Sequence, residues 1–174
     1  MKFEFINHSC FNIEHNNTSL TVDPWVEGSV FNKSWNLLVN TPKESIKTVK
    51  KGKILGIFPE GGITSPVLTE AKPGAVYLAS KAKANILPVS IRGASNAWAN
   101  ILRGVRSRIY INIGKPYGPI DIEGTRQEKA QKINEASGVL MCRIAALLPE
   151  EKHGCFSGDP SISTYQIENG LDTV

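Results

Sequence analysis

Apolar and polar positions alternate over the first two dozen residues of the chain. Phe3, Phe5, Cys10, Phe11 and Ile13, then Leu20 and Val22, lie on either side of the polar run HNNTS at 15–19. A period of two predicts a β-hairpin, or two adjacent strands joined by a polar turn. DPWVEGSVFNKSW at 23–35 reads as loop, and the character changes at Lys43. There PKESIKTVKKG predicts a short basic helix ended by Gly52, and KILGIF a buried strand closing at Phe58. Behind Pro73, Val76, Leu78, Ala79 and Ala82 recur at near-helical spacing over 72–84. NILPVSI predicts a strand, NAWANILRG a short helix or turn, and SRIYINIG a strand alternating Ile109, Ile111 and Ile113. An amphipathic helix from about Thr125 to Leu148 precedes Pro149, and the tail SISTYQIENGLDTV carries no strong pattern. Strands alternating with helices predict an α/β fold: a central mixed, largely parallel sheet flanked by helices, with an N-terminal β-hairpin.

Composition sets bounds on this picture. A chain of 174 residues, 41% hydrophobic and 21% charged, is long enough for one globular domain with a real core and short for two. Its formal net charge of +4 is unevenly spread. Residues 1–42 hold two basic and four acidic side chains, 43–116 thirteen and three, and 117–174 five and nine. The basic middle suits phosphates of a small anionic substrate, an acidic membrane surface or nucleic acid, or is a solvated set of helix lysines. Three cysteines, Cys10, Cys142 and Cys155, make no disulfide framework and no CxxC pair. A reducing cytosol fits them. The start MKFEFINHSC is not a signal peptide, and no run of 18 apolar residues exists, so contact with a membrane is expected to be peripheral, at its inner face.

The chemistry concentrates at FPEGG, residues 58–62. In α/β sheets ligand sites gather at the carboxyl ends of strands. Pro59 fixes the exit direction of the chain, Gly61 and Gly62 permit close approach, and Glu60 sits on a turn whose amides suit an anion. A structural turn with a surface glutamate fits the same residues equally well.

The surroundings carry a resemblance. KKGKILGIFPEGGITSPVLTEAKPGAVYLASKAKANILPVSIRG is similar to the middle of the glycerolipid acyltransferases, the 1-acylglycerol-3-phosphate acyltransferase type. The matching blocks are Phe58, Pro59, Glu60 and Gly61, then Lys72 and Gly74, then Leu87, Pro88 and Val89 with Gly93 beyond. INIGKPYGPI and LLPEEKHGCF resemble later family segments, so the likeness runs over about 43–158. It implies an acyltransferase of phospholipid biosynthesis that moves a fatty acyl group from acyl-CoA or acyl carrier protein to lysophosphatidic acid. No cofactor beyond that donor, no metal and no nucleic acid are implied. Phe58, Pro59, Glu60, Gly61, Gly62 and Lys72 become the expected substrate-binding residues.

Two family features are missing. The arginine expected after FPEG, a phosphate ligand, is replaced by Ile63, leaving Lys72, Arg92 or another cation to take its place. The family's HxxxxD motif, in which histidine is the general base on the acceptor hydroxyl, does not occur upstream: Ile13 stands five residues after His8, and Leu20 five after His15. The catalytic residue is thus unknown, with His8 a weak candidate, since a histidine in an amphipathic strand is more often structural. The resemblance therefore also implies an inactive remnant or fusion fragment that binds phospholipid or membrane surfaces through its basic segment.

FINHSCFNIEHNNTSLTVDPWVEGSVFNKSW resembles the start of a metallo-β-lactamase-fold hydrolase over residues 1–38, through NHxS, a hairpin and DPW. That fold's dinuclear site needs HxHxDH, which His8, His15 and His153 cannot build. The chain thus reads as a mosaic: a hairpin and loop at 1–42, an acyltransferase-like α/β domain at 43–158, and a weakly structured tail at 159–174.

Overall fold

The computed structural model describes residues 2–7, 10–15, 18–22, 41–61, 65–94 and 97–171. They form two compact units interleaved in sequence. The described residues of 1–62, 72–85 and 118–134 make the first, and those of 63–71, 86–117 and 135–174 the second.

In the first unit, β1 (Lys2–Asn7), β2 (Cys10–His15) and β3 (Thr18–Val22) run antiparallel, and β4 (Ile54–Gly56) pairs in parallel with β3. The register puts the apolar positions opposite one another: Phe3 with Ile13, Phe5 with Phe11, Ile13 with Leu20, Phe11 with Val22, and Leu20 with Ile54. A slip by one residue between β2 and β3 would set Phe11 and Ile13 against polar positions, so the pattern specifies that register. A parallel pair needs a crossover, and α1 (Thr41–Lys50) lies within it, packing on β4 and on α2 (Gly74–Ala82). Val76 and Leu78 of α2 are buried, as their spacing predicts. An ion pair of 2.9 Å from Lys53 to Glu14 ties β2 to the entry of β4, and its partial exposure keeps its contribution small.

β4 is shorter and more open than the expected buried strand. It ends at Gly56, and Ile54 and Phe58 are exposed. Pro59 has no amide to donate and the Phe58 carbonyl accepts from the Gly61 amide, so neither residue extends the ladder.

The second unit pairs β5 (Val89–Arg92) with β6 (Tyr110–Ile113) antiparallel, with α3 (Ala97–Leu102) between them in sequence. The described pairings therefore fall into two sheets, with one parallel pair and three antiparallel pairs. The core is the C-terminal half of α4 (Arg126–Ala145) and its continuation: Leu140, Met141, Ile144, Ala145, Ala146 and Leu147, joined by Leu68 and Ile162. The Ile109, Ile111 and Ile113 alternation faces outward instead of into a core. The opposite face of the ribbon is the docked one, because Ser90 Oγ and Asn112 Nδ2 both donate to the Leu147 carbonyl, at 3.1 and 2.7 Å. Carbonyls at a helix C-terminus lack intrahelical donors, and these side chains supply them.

The tail expected to be weakly structured begins with α5 (Pro160–Glu168). Asp159 is its N-cap, accepting from the Ser161 amide at 2.8 Å, with Pro160 at the first helical position and Ile162 buried below. Arg143 of α4 stacks between the rings of Tyr117 and Tyr165, 4.4 and 4.1 Å from their centroids, and pairs with Glu168 at 2.7 Å. Burial pushes the Tyr117 hydroxyl up to about 12 against the opposing pull of Arg143.

Hydrogen bonds from Ser161, side chain and backbone, hold the Asp159 carboxyl below the usual range. A depressed folded-state value stabilises the protein above the unfolded value, near pH 4, and that contribution is lost as pH falls through the folded value. Asp159→Asn keeps an equally good cap without the proton linkage. Thermal melts from pH 7 to about 2.5 are expected to show a smaller acid-induced drop for Asp159→Asn than for the wild type. Identical pH profiles would contradict the linkage.

Candidate functional site

The FPEG segment leaves β4 as a closed turn in the first unit. The Gly61 amide donates to the Phe58 carbonyl at 3.0 Å, with Pro59 and Glu60 as the central residues. Lys83 is the one described non-glycine residue at positive φ, so Glu60 lies on the negative side, as a type I turn requires of its third position. Proline is favoured at the second position of such a turn and glycine at the fourth. Gly61 itself has φ +71.

Lys72 is locked against this turn. Its amide donates to the Pro59 carbonyl at 2.8 Å, so the carbonyls of both Phe58 and Pro59 are engaged. Its side chain crosses Gly61 so closely that a Cβ there would stand 2.8 Å from Cδ and 2.9 Å from Nζ. An ammonium therefore lies over the one residue of the turn that has no side chain to displace it. Phe58 is 54% exposed, Glu60 is half-buried and engaged with neighbouring groups, and Lys72 is exposed. The result is a backbone-braced turn carrying one carboxylate, one cation and an exposed aromatic ring. An ammonium in water is a compact point charge with three donors, suited to a phosphate or carboxylate oxygen.

Of the residues expected to bind substrate, the structure brings Phe58, Pro59, Glu60, Gly61 and Lys72 together. Gly62 and His8 lie outside the described residues. Arg92, the other cation considered at the missing arginine's place, is engaged in the second unit, where its guanidinium stacks 4.5 Å from the Tyr110 ring. It also borders a cleft of about 210 Å³ lined by Asn112, Leu148 and Gln166 among others. None of the expected substrate-binding residues lines that cleft. Among the described residues no group of three or more His, Cys, Asp or Glu could hold a metal. None of their helices is long and apolar enough to cross a membrane.

The hydrogen bond from the Lys72 amide to the Pro59 carbonyl was not legible in the sequence, which shows only that a lysine follows FPEG by eleven positions. The signal available was indirect: two glycine-proline clusters, at 59–62 and 73–74, enclosing a short polar loop.

Comparison with known proteins gives this turn a context. The acyltransferase family model matches residues 31–92, which take in β4, the FPEG turn, Lys72 and α2. Over this segment the chain is similar to the acyltransferase family. A curated relative, the 1-acyl-sn-glycerol-3-phosphate acyltransferase of Bacillus subtilis (strain 168), is 35% identical over 79 residues. Those residues are 45% of this chain and 38% of the relative, so the chain spans well under half of that protein's length. No solved structure matches the chain. The acyltransferase segment thus contains the whole described platform, and β5 is the last element it reaches.

Proposed function

We propose that the FPEG–Lys72 platform is the acceptor site of a glycerolipid acyltransferase, whose reaction moves a fatty acyl group from acyl-CoA or acyl carrier protein to 1-acylglycerol-3-phosphate. The observation that carries this reading is the ammonium of Lys72 lying over Gly61, inside the segment that matches the family. The acceptor's phosphate lies on Lys72, Glu60 faces the glycerol, and the exposed Phe58 meets the start of the acyl chain. The name of the curated relative supplies the acceptor.

A second reading is acceptor or phospholipid binding without turnover. Two features motivate it: within these 174 residues no histidine upstream of FPEG has an aspartate five positions on, and Ile63 stands where the resemblance expects arginine. A hydroxyl has to lose its proton as it attacks a thioester, and a positioned general base contributes roughly 10²–10⁴-fold to such a step.

One experiment addresses both. Binding of lysophosphatidic acid below its micellar concentration is followed by calorimetry, and acyl transfer from acyl-CoA is assayed on the same protein. Wild type is expected to bind, and Lys72→Ala to bind about tenfold more weakly, the scale of one hydrogen bond to a charged group. No binding, or binding indifferent to Lys72→Ala, would remove the platform as acceptor site. Transfer above the uncatalysed background selects the first reading, and binding without transfer selects the second.

A further inference from the structure

We propose that the C-terminal cap of α3, residues 100–108, docks this protein onto bilayer surfaces rich in anionic lipid. The proposal deepens the phospholipid-binding reading above and rests on it.

The segment combines three features. First, it is apolar where a soluble surface is polar: Ile101, Leu102 and Val105 are 61%, 86% and 53% exposed, and Leu102 is the most exposed large hydrophobic residue among those described. Single exposed apolar residues are ordinary, but three within five positions on one turn form a patch. Second, Arg103, Arg106 and Arg108 alternate with them and are exposed too. From residue 71 to 120 the chain holds eight lysines and arginines and no acidic residue, so nothing within that stretch neutralises them. Third, the segment is built rather than loose. The Val105 amide donates to the Asn100 carbonyl at 2.8 Å and the Gly104 amide to the Ile101 carbonyl at 3.0 Å, with Gly104 at φ +69. This pair of bonds is the Schellman closure of a helix. Asn100 Nδ2 then donates to Ser107 Oγ at 2.8 Å and holds the outgoing loop against the cap.

The closure explains why the patch faces outward. In a Schellman motif the residue after the glycine commonly packs on the apolar residue five positions earlier. Here that earlier position is Asn100, which is occupied with Ser107, and Val105 remains in solvent. Apolar side chains beside arginines fit the boundary between headgroups and acyl chains, where the former enter hydrocarbon and the latter meet lipid phosphates. Charge selects the occupant: a neutral protein groove would bury the apolar residues and leave the arginines unpaired, whereas an anionic bilayer serves both.

The test is sedimentation of the full chain with vesicles that contain no lysophosphatidic acid. One set is phosphatidylcholine alone and the other is phosphatidylcholine mixed with phosphatidylglycerol. Wild type is expected to partition at least tenfold better onto the mixed vesicles, with most of that gain lost at about 0.5 M salt. Leu102→Glu, and separately Arg103→Glu with Arg106→Glu, are each expected to reduce partition by about tenfold or more at unchanged melting temperature. Lys72→Ala is expected to lower partition far less than Leu102→Glu while it weakens lysophosphatidic acid binding about tenfold, so failure of the acceptor site and failure of the docking surface give different patterns. Equal partition of Leu102→Glu and wild type would overturn the proposal. So would arginine-dependent binding to single-stranded RNA with vesicle binding intact in Leu102→Glu. A lipid-free dimer that Leu102→Glu converts to monomer would assign the patch to a second copy instead.

Discussion

Replacing Gly154 with alanine is expected to lower the melting temperature by about 10 °C, roughly 3 kcal/mol for a chain of this size. Gly154 opens the second of two single-turn helices, Glu150–Lys152 and Gly154–Phe156, and has φ +58. A Cβ there would fall within a bonding-scale distance of the Leu68 carbonyl oxygen and 3.0 Å from the Leu68 carbonyl carbon and amide nitrogen. That obstacle is backbone, so it cannot rotate away. Leu68 is also fixed from both sides, its amide donating to the Lys152 carbonyl at 3.0 Å and its carbonyl accepting from the Cys155 amide at 3.3 Å. Admitting the methyl group means breaking at least one of these bonds beside the buried Leu68 side chain, at about 1–3 kcal/mol each. Left-handed strain adds about 1–2 kcal/mol. Gly158 separates the two effects. It also has positive φ, +81, but nothing lies within 4 Å of its Cβ position, so Gly158→Ala is expected to cost only the strain, a shift of a few degrees. Equal shifts for the two variants, read by calorimetry, would mean that the Leu68 contact does not constrain the fold.

The contrast between these glycines marks where sequence reasoning stops. Local periodicity located most of the elements: the alternation before Val22 lies in β1 to β3, the spacing of Val76 and Leu78 in α2, and the stretch before Pro149 in α4. These are properties of neighbours in the chain. What periodicity did not reveal is which partner each face meets. The isoleucines of β6 alternate as a half-buried strand should, yet the structure docks the other face, because Ser90 and Asn112 reach the orphan carbonyl of Leu147, 57 and 35 positions away. Likewise the tail looked featureless, since the Asp159–Pro160 start of α5 is a capping signal only once Ile162 has a core to enter. The Arg143 stack joins residues 117, 143 and 165 by a geometry that no local pattern encodes. The site follows the same rule. FPEG announces a turn, because proline and glycine have conformational preferences of their own, but the position of Lys72 over Gly61 is a tertiary fact.

That position gives the second large prediction. Gly61→Val is expected to weaken lysophosphatidic acid binding by about 100-fold, more than the tenfold loss expected on deleting the Lys72 amine itself. Two consequences combine in it. The valine Cβ would occupy the space of Lys72 Cδ and Nζ, and because that side chain is long and exposed it swings away, taking its charge off the platform. In addition, a β-branched residue at φ +71 is a genuine conformational outlier, so the turn reorganises and the Lys72 amide loses its alignment with the Pro59 carbonyl. Gly61→Ala separates the parts: it displaces the amine with less backbone strain, and its affinity is expected to fall between Lys72→Ala and Gly61→Val. Because Gly61 is exposed, the melting temperature is expected to move only a few degrees across the series, which excludes global unfolding as the cause of lost binding. If Gly61→Val binds lysophosphatidic acid as wild type does, the acceptor is not held at this turn, whatever family its sequence resembles. If the three variants fall in the expected order, the close crossing of Lys72 over an unsubstituted Cα is what makes the platform an anion site.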